Sequence, residues 1–317
     1  MKILCIGEAL IDMICTDKNS SLSEGNHFLK KPGGAPTNVA AAIAALGEQV
    51  VLAAKVGNDP FGKQLIETMQ SFGVDTSAML THNDYFTTFA FVSLMEDGER
   101  DFVFNRGADE QLTIDDIDAI NLNEVSIIHF GSATGFLPGT LQAAYLHLLQ
   151  KAIHHRIYIS FDPNYRHLLF KNNTASFITQ SWYYLQHCNF FKVSFEEALL
   201  ITETDTLEKA MEILFTKTKG VFAITLGKEG TLLGLNGEQY MIESITVQPI
   251  DTTGAGDAFV GAVLYQLNQF PTTEIKNLPF NEWKKIIYNA NKAGARTCEY
   301  LGAMEAFKHL NNKIFNS

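Results

Sequence analysis

Six short runs of this chain are apolar at nearly every position: KILCIG (2–7), VVLAAKVG (50–57), VSIIHFG (125–131), RIYISFD (156–162), FFKVS (190–194) and GVFAITLG (220–227). A strand with one wet face alternates apolar and polar residues. A strand that is apolar throughout must be covered on both faces, as in a parallel sheet. Helical stretches lie between them: TNVAAAIAAL (37–46), GKQLIETMQSF (62–72), LQAAYLHLLQKA (141–152) and ASFITQSWYYL (175–185). Parallel neighbours need long crossovers, and helices supply them, so the alternation predicts βαβ units in an α/β fold with a doubly wound sheet. With 317 residues, 46% of them hydrophobic, the chain can bury one large core. Neither an internal repeat nor a low-complexity linker divides it, and a single domain over 1–317 is expected.

One segment breaks the alternation. TTFAFVSLMEDGERDFVFN (87–105) reads as strand, turn at Asp97-Gly98, strand. Its first strand puts Phe89 and Phe91 on one face and Ala90, Val92 and Leu94 on the other. Both faces are apolar, so both need cover: a substrate site and a second subunit, or the main body of the protein. With residues 9–31 the hairpin is expected to form a small separate sheet.

The formal net charge is −11, and no block of lysines or arginines occurs. Nucleic-acid phosphates would be repelled by such a surface, whereas a nucleotide held by magnesium and converging backbone amides would not. Cys5, Cys15, Cys188 and Cys298 are scattered without a CxxC pair, and the nine histidines show no HExxH spacing. Neither a disulfide framework nor a zinc site is expected, and the thiols fit a reduced, cytoplasmic protein. No apolar run approaches the ~18 residues of a membrane span. MKILCIG leads directly into a strand, so no signal peptide is expected.

Residues 251–264 read DTTGAGDAFVGAVL. A Gly254-Ala255-Gly256 cluster before an apolar helix implies a sharp bend at a helix N-terminus, where N–H groups are unpaired and the dipole is positive. That is a site for an anion, with the amides of Ala255, Gly256 and Asp257 expected to converge on it. Asp257, in the first turn, is placed to take a proton from an attacking hydroxyl, and the positive helix end is expected to favour its charged form. Taken alone, the stretch also fits a plain tight turn with a helix-start carboxylate. A second cluster, PGGAPTNVAAAIAALG (32–47), offers Gly33 and Gly34 for close approach of a ligand and Asn38 as donor and acceptor; a helix cap is the plainer reading. Upstream, Asp12 in GEALID (7–12) can accept hydrogen bonds from sugar hydroxyls.

Together these stretches resemble both signatures of the PfkB (ribokinase-like) carbohydrate kinase family. One is the GG segment with Asn38, Gly47 and Gly57; the other is DTxGAGD running on through Ala258, Phe259 and Gly261-Ala262. The resemblance covers nearly the whole chain. It implies a three-layer ribokinase-like fold with a central, mostly parallel sheet and a small β lid from about 9–31 and 87–105. It also implies ATP-dependent phosphorylation of a sugar hydroxyl with Mg²⁺. Asp257 is implied to be the base, Gly254, Ala255 and Gly256 the anion hole, and Asp12, Gly33, Gly34 and Asn38 the sugar ligands. TLGKEG (225–230) is similar to the family's nucleotide-binding TLGxxG, which gives Thr225, Gly227 and Gly230 that role, although alone it reads as a β-turn. Asn291, in ANKAGA, falls where the family flanks the adenine.

DGERDFVFNRGAD (97–109), ending with Arg106, is similar to the lid hairpin of fructokinases. DPNYR (162–166) is similar to an element shared by fructokinases and 2-dehydro-3-deoxygluconokinases, in which Arg166 would reach the transferred phosphate or a charged substrate group. The family commonly has NxxE where this chain has KVSFEE. Ser194 replaces the asparagine beside the nucleotide, and Glu197 keeps the acidic position, implied to act through water on Mg²⁺. Asp251 and Thr253 are implied ligands of a monovalent cation, K⁺. The expectation is a fructokinase acting as a homodimer through its lids. The alternatives are a 2-dehydro-3-deoxygluconokinase, a ribokinase-type enzyme, or a sugar-binding regulator without catalysis. No GxGxxG follows the first strand and no GxxxxGK[ST] occurs, which argues against a Rossmann oxidoreductase and a P-loop enzyme.

Overall fold

The computed structural model describes every residue except 18, 95–99 and 317. Its strands are β1 (Lys2–Ile6), β2 (Leu10–Cys15), β3 (Phe28–Gly33), β4 (Val50–Gly57), β5 (Met79–His82), β6 (Thr88–Leu94), β7 (Arg100–Asn105), β8 (Val125–Phe130), β9 (Tyr158–Phe161), β10 (Phe190–Ser194), β11 (Val221–Thr225), β12 (Thr231–Leu235) and β13 (Glu238–Ile242). Its helices are α1 (Ala35–Ala45), α2 (Pro60–Phe72), α3 (Ile114–Asp118), α4 (Thr140–His154), α5 (His167–Phe170), α6 (Thr174–Leu185), α7 (Phe195–Thr202), α8 (Leu207–Lys217), α9 (Ala255–Leu267), α10 (Phe280–Thr297) and α11 (Ala303–Phe307). Among the described residues, nine strands form one sheet in the order β13-β12-β11-β10-β9-β8-β1-β4-β5. All neighbours are parallel except β11–β12 and β12–β13.

The six apolar runs are the six central strands of this sheet, and every residue of β4 and of β8 is buried. Successive side chains go to opposite faces. Ile127 of β8 joins a core with α1, α9 and α10, while Ile128 and Phe130 join one with α4, α6, α7 and α8. The sheet is thus the middle of three layers, as expected. None of the described helices is long and apolar enough to cross a membrane.

The remaining strands form a separate sheet, β3-β2-β6-β7, in which β6 and β7 are the antiparallel hairpin and β2 runs parallel to β6. The turn expected at Asp97-Gly98 lies outside the described residues, as does the side chain of Leu94. Register puts Ile11, Met13, Phe89 and Phe91 on one face, where Phe89 meets Phe61 of α2 edge-on, with centroids 4.9 Å apart, and Phe91 meets Phe28. Packing on the main body therefore covers this face at Phe89, whereas Val103, opposite Phe91, is 51% exposed. The other face carries Asp12, Ile14, Ala90, Val92 and the stacked rings of Phe102 and Phe104.

Two carboxylates fasten this lid to the main body. Asp59 caps α2 through the amides of Phe61 and Gly62, and it also accepts from the amide (2.7 Å) and hydroxyl (2.8 Å) of Thr87 at the entry to β6. Asp109 accepts from the hydroxyl of Thr88 and from Arg106 Nε (3.1 Å) at the exit from β7.

Candidate active site

The glycine clusters meet at the carboxyl ends of the central strands, where open α/β sheets bind ligands. Gly254 has φ 82°, a left-handed conformation that a side chain would strain, and from it α9 starts at Ala255. The amide of Ala255, expected to face the anion, donates instead to the Thr252 carbonyl (3.2 Å), and the helical ladder begins with Ala258 donating to Gly254 (2.8 Å). Gly256 and Asp257 are left with amides that have no acceptor among the described residues. The anion hole is therefore narrower than expected, with two free N–H groups.

Asp257 Oδ2 accepts a hydrogen bond from Asn38 Nδ2 at 2.8 Å, which joins motifs 219 residues apart. Asn38 Oδ1 is buried without a partner among the described residues, an acceptor open to a hydroxyl. Asp257 does not keep the ordinary aspartate value, although at neutral pH its charged form still dominates. Burial is the largest influence and pushes its carboxyl up to about 6, against the opposing pull of the Asn38 bond, Arg166 and Lys192. Desolvation of a buried carboxylate outweighs the ~0.3–1 kcal/mol that a helix end typically provides. The result is a base poised close to neutral pH.

Asp12 stands on β2 at the root of the lid, also pushed up to about 6 by burial, with Arg166 opposing. A β-carbon on Gly33 would lie 2.1 Å from Asp12 Oδ2, so only glycine lets the carboxylate sit there. Gly34 caps α1 with φ 105°. Behind them is Glu8, which sequence reasoning missed. It is 1% exposed, accepts from the amides of Ala35 and Ala133 (both 3.3 Å) and from the hydroxyls of Ser132 and Thr134, and so ties α1 to the end of β8. A charged residue directly after an apolar strand was its only signal.

The two arginines differ. Arg106 donates from Nε to Asp109, from one terminal nitrogen to the Pro138 carbonyl (3.1 Å) and from the other to the Thr134 carbonyl (3.4 Å). These bonds tie its guanidinium to the exit from the lid and to the loop after β8, with two of its five N–H donors left over. Arg166 is exposed, its guanidinium has no hydrogen-bond partner among the described residues, and its charge acts on both Asp12 and Asp257.

Ser194 and Glu197 form a capping box at the start of α7. The Ser194 hydroxyl accepts from the Glu197 amide (3.2 Å); Glu197 accepts from the amides of Ser194 (2.7 Å) and Tyr165 (2.8 Å). The S-x-x-E spacing was a legible signal for this role. Burial raises the Glu197 carboxyl, with Lys192 opposing. Lys192 itself, unassigned from the sequence, is buried and donates to Asp162 Oδ2 (3.1 Å).

Thr225 pairs with Ser194 in register, and Gly227 (φ 62°) and Gly230 (φ 109°) close the turn from β11 to β12, beside the same strand ends. Asn291 lies 7% exposed with its amide fully engaged: it accepts from Thr231 Oγ1 (2.7 Å) and donates to the carbonyls of Ile242 and Glu243 (both 3.1 Å). It fastens β12 and β13 to α10. Asp251 accepts from the amide (2.9 Å) and hydroxyl (2.7 Å) of Thr253 and from the Gly302 amide (2.8 Å), while Lys31 Nζ donates to the Leu301 carbonyl (3.0 Å) next to it. Among the described residues, no three His, Cys, Asp or Glu side chains are grouped to hold a metal.

Comparison with known proteins identifies the family. The profile of the pfkB family carbohydrate kinases matches residues 1–309. Fructokinase-1 of Zea mays is 33% identical over 310 residues, which span 95% of this chain and 93% of that protein. An uncharacterized sugar kinase from Pyrococcus horikoshii, solved with ATP, is 31% identical with a TM-score of 0.80, over 95% of this chain and 94% of that one. A double mutant of the Vibrio cholerae fructokinase, solved with fructose, ADP and potassium ion, is 27% identical with a TM-score of 0.83, over 99% and 97% of the two chains.

Proposed function

The chain belongs to the pfkB family of carbohydrate kinases, a sugar phosphotransferase, and from that premise we propose that it is a fructokinase that makes fructose 6-phosphate from D-fructose and ATP. The observation that carries this reading is the Asn38–Asp257 bond, which joins a sugar-side group to a base at the mouth of an anion hole. Fructose is favoured over a sugar acid for two reasons. Relatives named fructokinase match along nearly the full chain, and Arg106, one of two candidates for a substrate carboxylate, is already neutralised by Asp109.

Asp12 and Asn38 Oδ1 orient the sugar by accepting its hydroxyls. Asp257 takes the proton of the attacking hydroxyl, an effect of ~10²–10⁴ in rate. The amides of Gly256 and Asp257 hold the phosphoryl oxygens as their charge shifts, and Arg166, whose charge acts on Asp257, assists them. Thr225, Gly227 and Gly230 form the nucleotide side, with backbone rather than side-chain contacts at the glycines.

The donor set fits a magnesium ion that arrives on the nucleotide and keeps its waters, since no all-protein cage is present among the described residues and Glu197 already accepts two amides. Bound there, magnesium would neutralise phosphate charge. For potassium the fit is poorer, because Asp251 is engaged by Thr253 and Gly302, and the transfer described here runs without it. Val92, Phe102 and Phe104, apolar lid residues that are only half-buried, support a homodimer through the lids.

The test is a coupled ADP-release assay over D-fructose, D-glucose, D-ribose and 2-dehydro-3-deoxygluconate. D-fructose should give the highest kcat/KM; preference for the sugar acid would refute the assignment.

A further inference from the structure

A buried lysine ammonium that makes only one of its three possible hydrogen bonds is costly unless a ligand uses the others. Lys192 is such a group. It is 8% exposed, and among the described residues its only hydrogen-bond acceptor is Asp162. Its direction follows from the strand. Phe191 and Val193 point into the core against α4 and α6–α8, and Phe190 points into the opposite core with α9 and α10. Lys192, two residues on from Phe190, therefore lies on the α9 side, below the turn that opens that helix. A β-carbon built on Gly256 would lie 3.4 Å from Lys192 Nζ. The ammonium is thus next to one of the two free amides of the anion hole.

We propose that Lys192 is a catalytic residue whose ammonium forms the floor of the anion hole and binds the phosphoryl group during transfer. The inference rests on the kinase reading above and adds a charged donor to the two amides.

The surrounding groups keep the charge in place. Burial alone would lower the Lys192 ammonium, but Asp162, Glu197 and Asp257 together hold it above the ordinary lysine value. His129, fully buried on the neighbouring face of β8 and pushed down to about 3 by burial and by Lys192, is neutral and does not compete. Three carboxylates would otherwise repel an incoming phosphate, and a point cation with donors to spare offsets them. Asp162, which also accepts from the Asn164 amide (3.1 Å), holds the ammonium in position.

The rival role is structural, with Lys192 only neutralising buried Asp162. Lys192→Met and the double variant Lys192→Met/Asp162→Asn separate the two. If the ammonium binds phosphoryl, Lys192→Met lowers kcat ~100- to 1,000-fold, as loss of a transition-state donor does, with a small change in the KM for sugar. ADP should bind it as it binds wild type, but the gain in ADP affinity on adding tetrafluoroaluminate, read by calorimetry with D-fructose present, should disappear. The double variant, free of the unpaired carboxylate, should recover the melting temperature and not kcat. Recovery of kcat in the double variant, or an undiminished tetrafluoroaluminate gain in Lys192→Met, overturns the proposal and leaves the kinase reading intact. A wild-type protein that phosphorylates no sugar overturns both.

Discussion

Asn38→Leu removes the donor that holds Asp257 while roughly keeping the side-chain volume. A hydrogen bond to a charged group is worth ~1.5–3 kcal/mol. One pH unit corresponds to about 1.4 kcal/mol, so loss of the bond should raise the Asp257 carboxyl by roughly one to two pH units above its starting point of about 6. Asp257 is buried, and solvent does not dilute this effect. A base works ionised, so activity is present above its pKa and is lost as pH falls through it. The dependence of kcat/KM on pH reads the free enzyme. Its acid limb should move from about 6 to roughly 7–8, so that Asn38→Leu loses about 3- to 25-fold at pH 6.5 beyond any difference remaining at pH 9. Arg166, Lys192 and Asp162, which also act on Asp257, are unchanged in this variant. An acid limb that stays in place, or moves down, would refute the argument that this bond tunes the base.

Asp257→Asn should lose at least ~100-fold in kcat, since the amide is nearly isosteric but is a poor base. The same variant should be the more stable protein at pH 8: a carboxyl at about 6 in the fold against 3.8 unfolded costs up to about 3 kcal/mol once both states are ionised, and little near pH 4. Thermal melts at both pH values check this, and a less stable Asp257→Asn at pH 8 would count against it. Asp12→Ala should weaken sugar binding ~10-fold or more while leaving ATP binding nearly as it was; calorimetry that finds equal losses for both ligands would make Asp12 structural. Val92→Asp puts a charge on the lid face and should turn a dimer into a monomer in sedimentation and raise the KM for sugar, whereas a wild type that sediments as a monomer with sugar present would refute the lid contact.

The central sheet was legible because strands buried on both faces leave a continuous apolar record, as in VVLAAKVG and VSIIHF. The lid hairpin was legible for the opposite reason: its apolar residues did not fit a βαβ unit. What the local pattern could not carry was anything that depends on distant burial. A helix N-terminus can be read from GAGD, but the burial that raises Asp257, and the groups on α1, β10 and the loop after β9 that act on it, come from distant parts of the chain. Arg106 and Asn291 sit in motif-like segments, yet their partners Thr134, Pro138, Thr231 and Ile242 come from other elements. Lys192 was hidden because a lysine in a short strand commonly reaches water with its long side chain. Ser194 is a different case: its capping box with Glu197 was visible in the four letters SFEE.

The joint between lid and body at Asp59 sets how the molecule should come apart in acid. Burial by itself would raise this carboxyl, but hydrogen bonds from Phe61, Gly62 and Thr87 outweigh it and hold it below the ordinary aspartate range. Such a carboxylate contributes stability at neutral pH that is lost only as pH falls through its lowered pKa. One proton there releases the start of β6 and the cap of α2 together, because a single side chain serves both. Hinge and helix end are therefore not independent parts, and an acid-tolerant protease would find the segment between β5 and β6 at the same pH at which α2 frays.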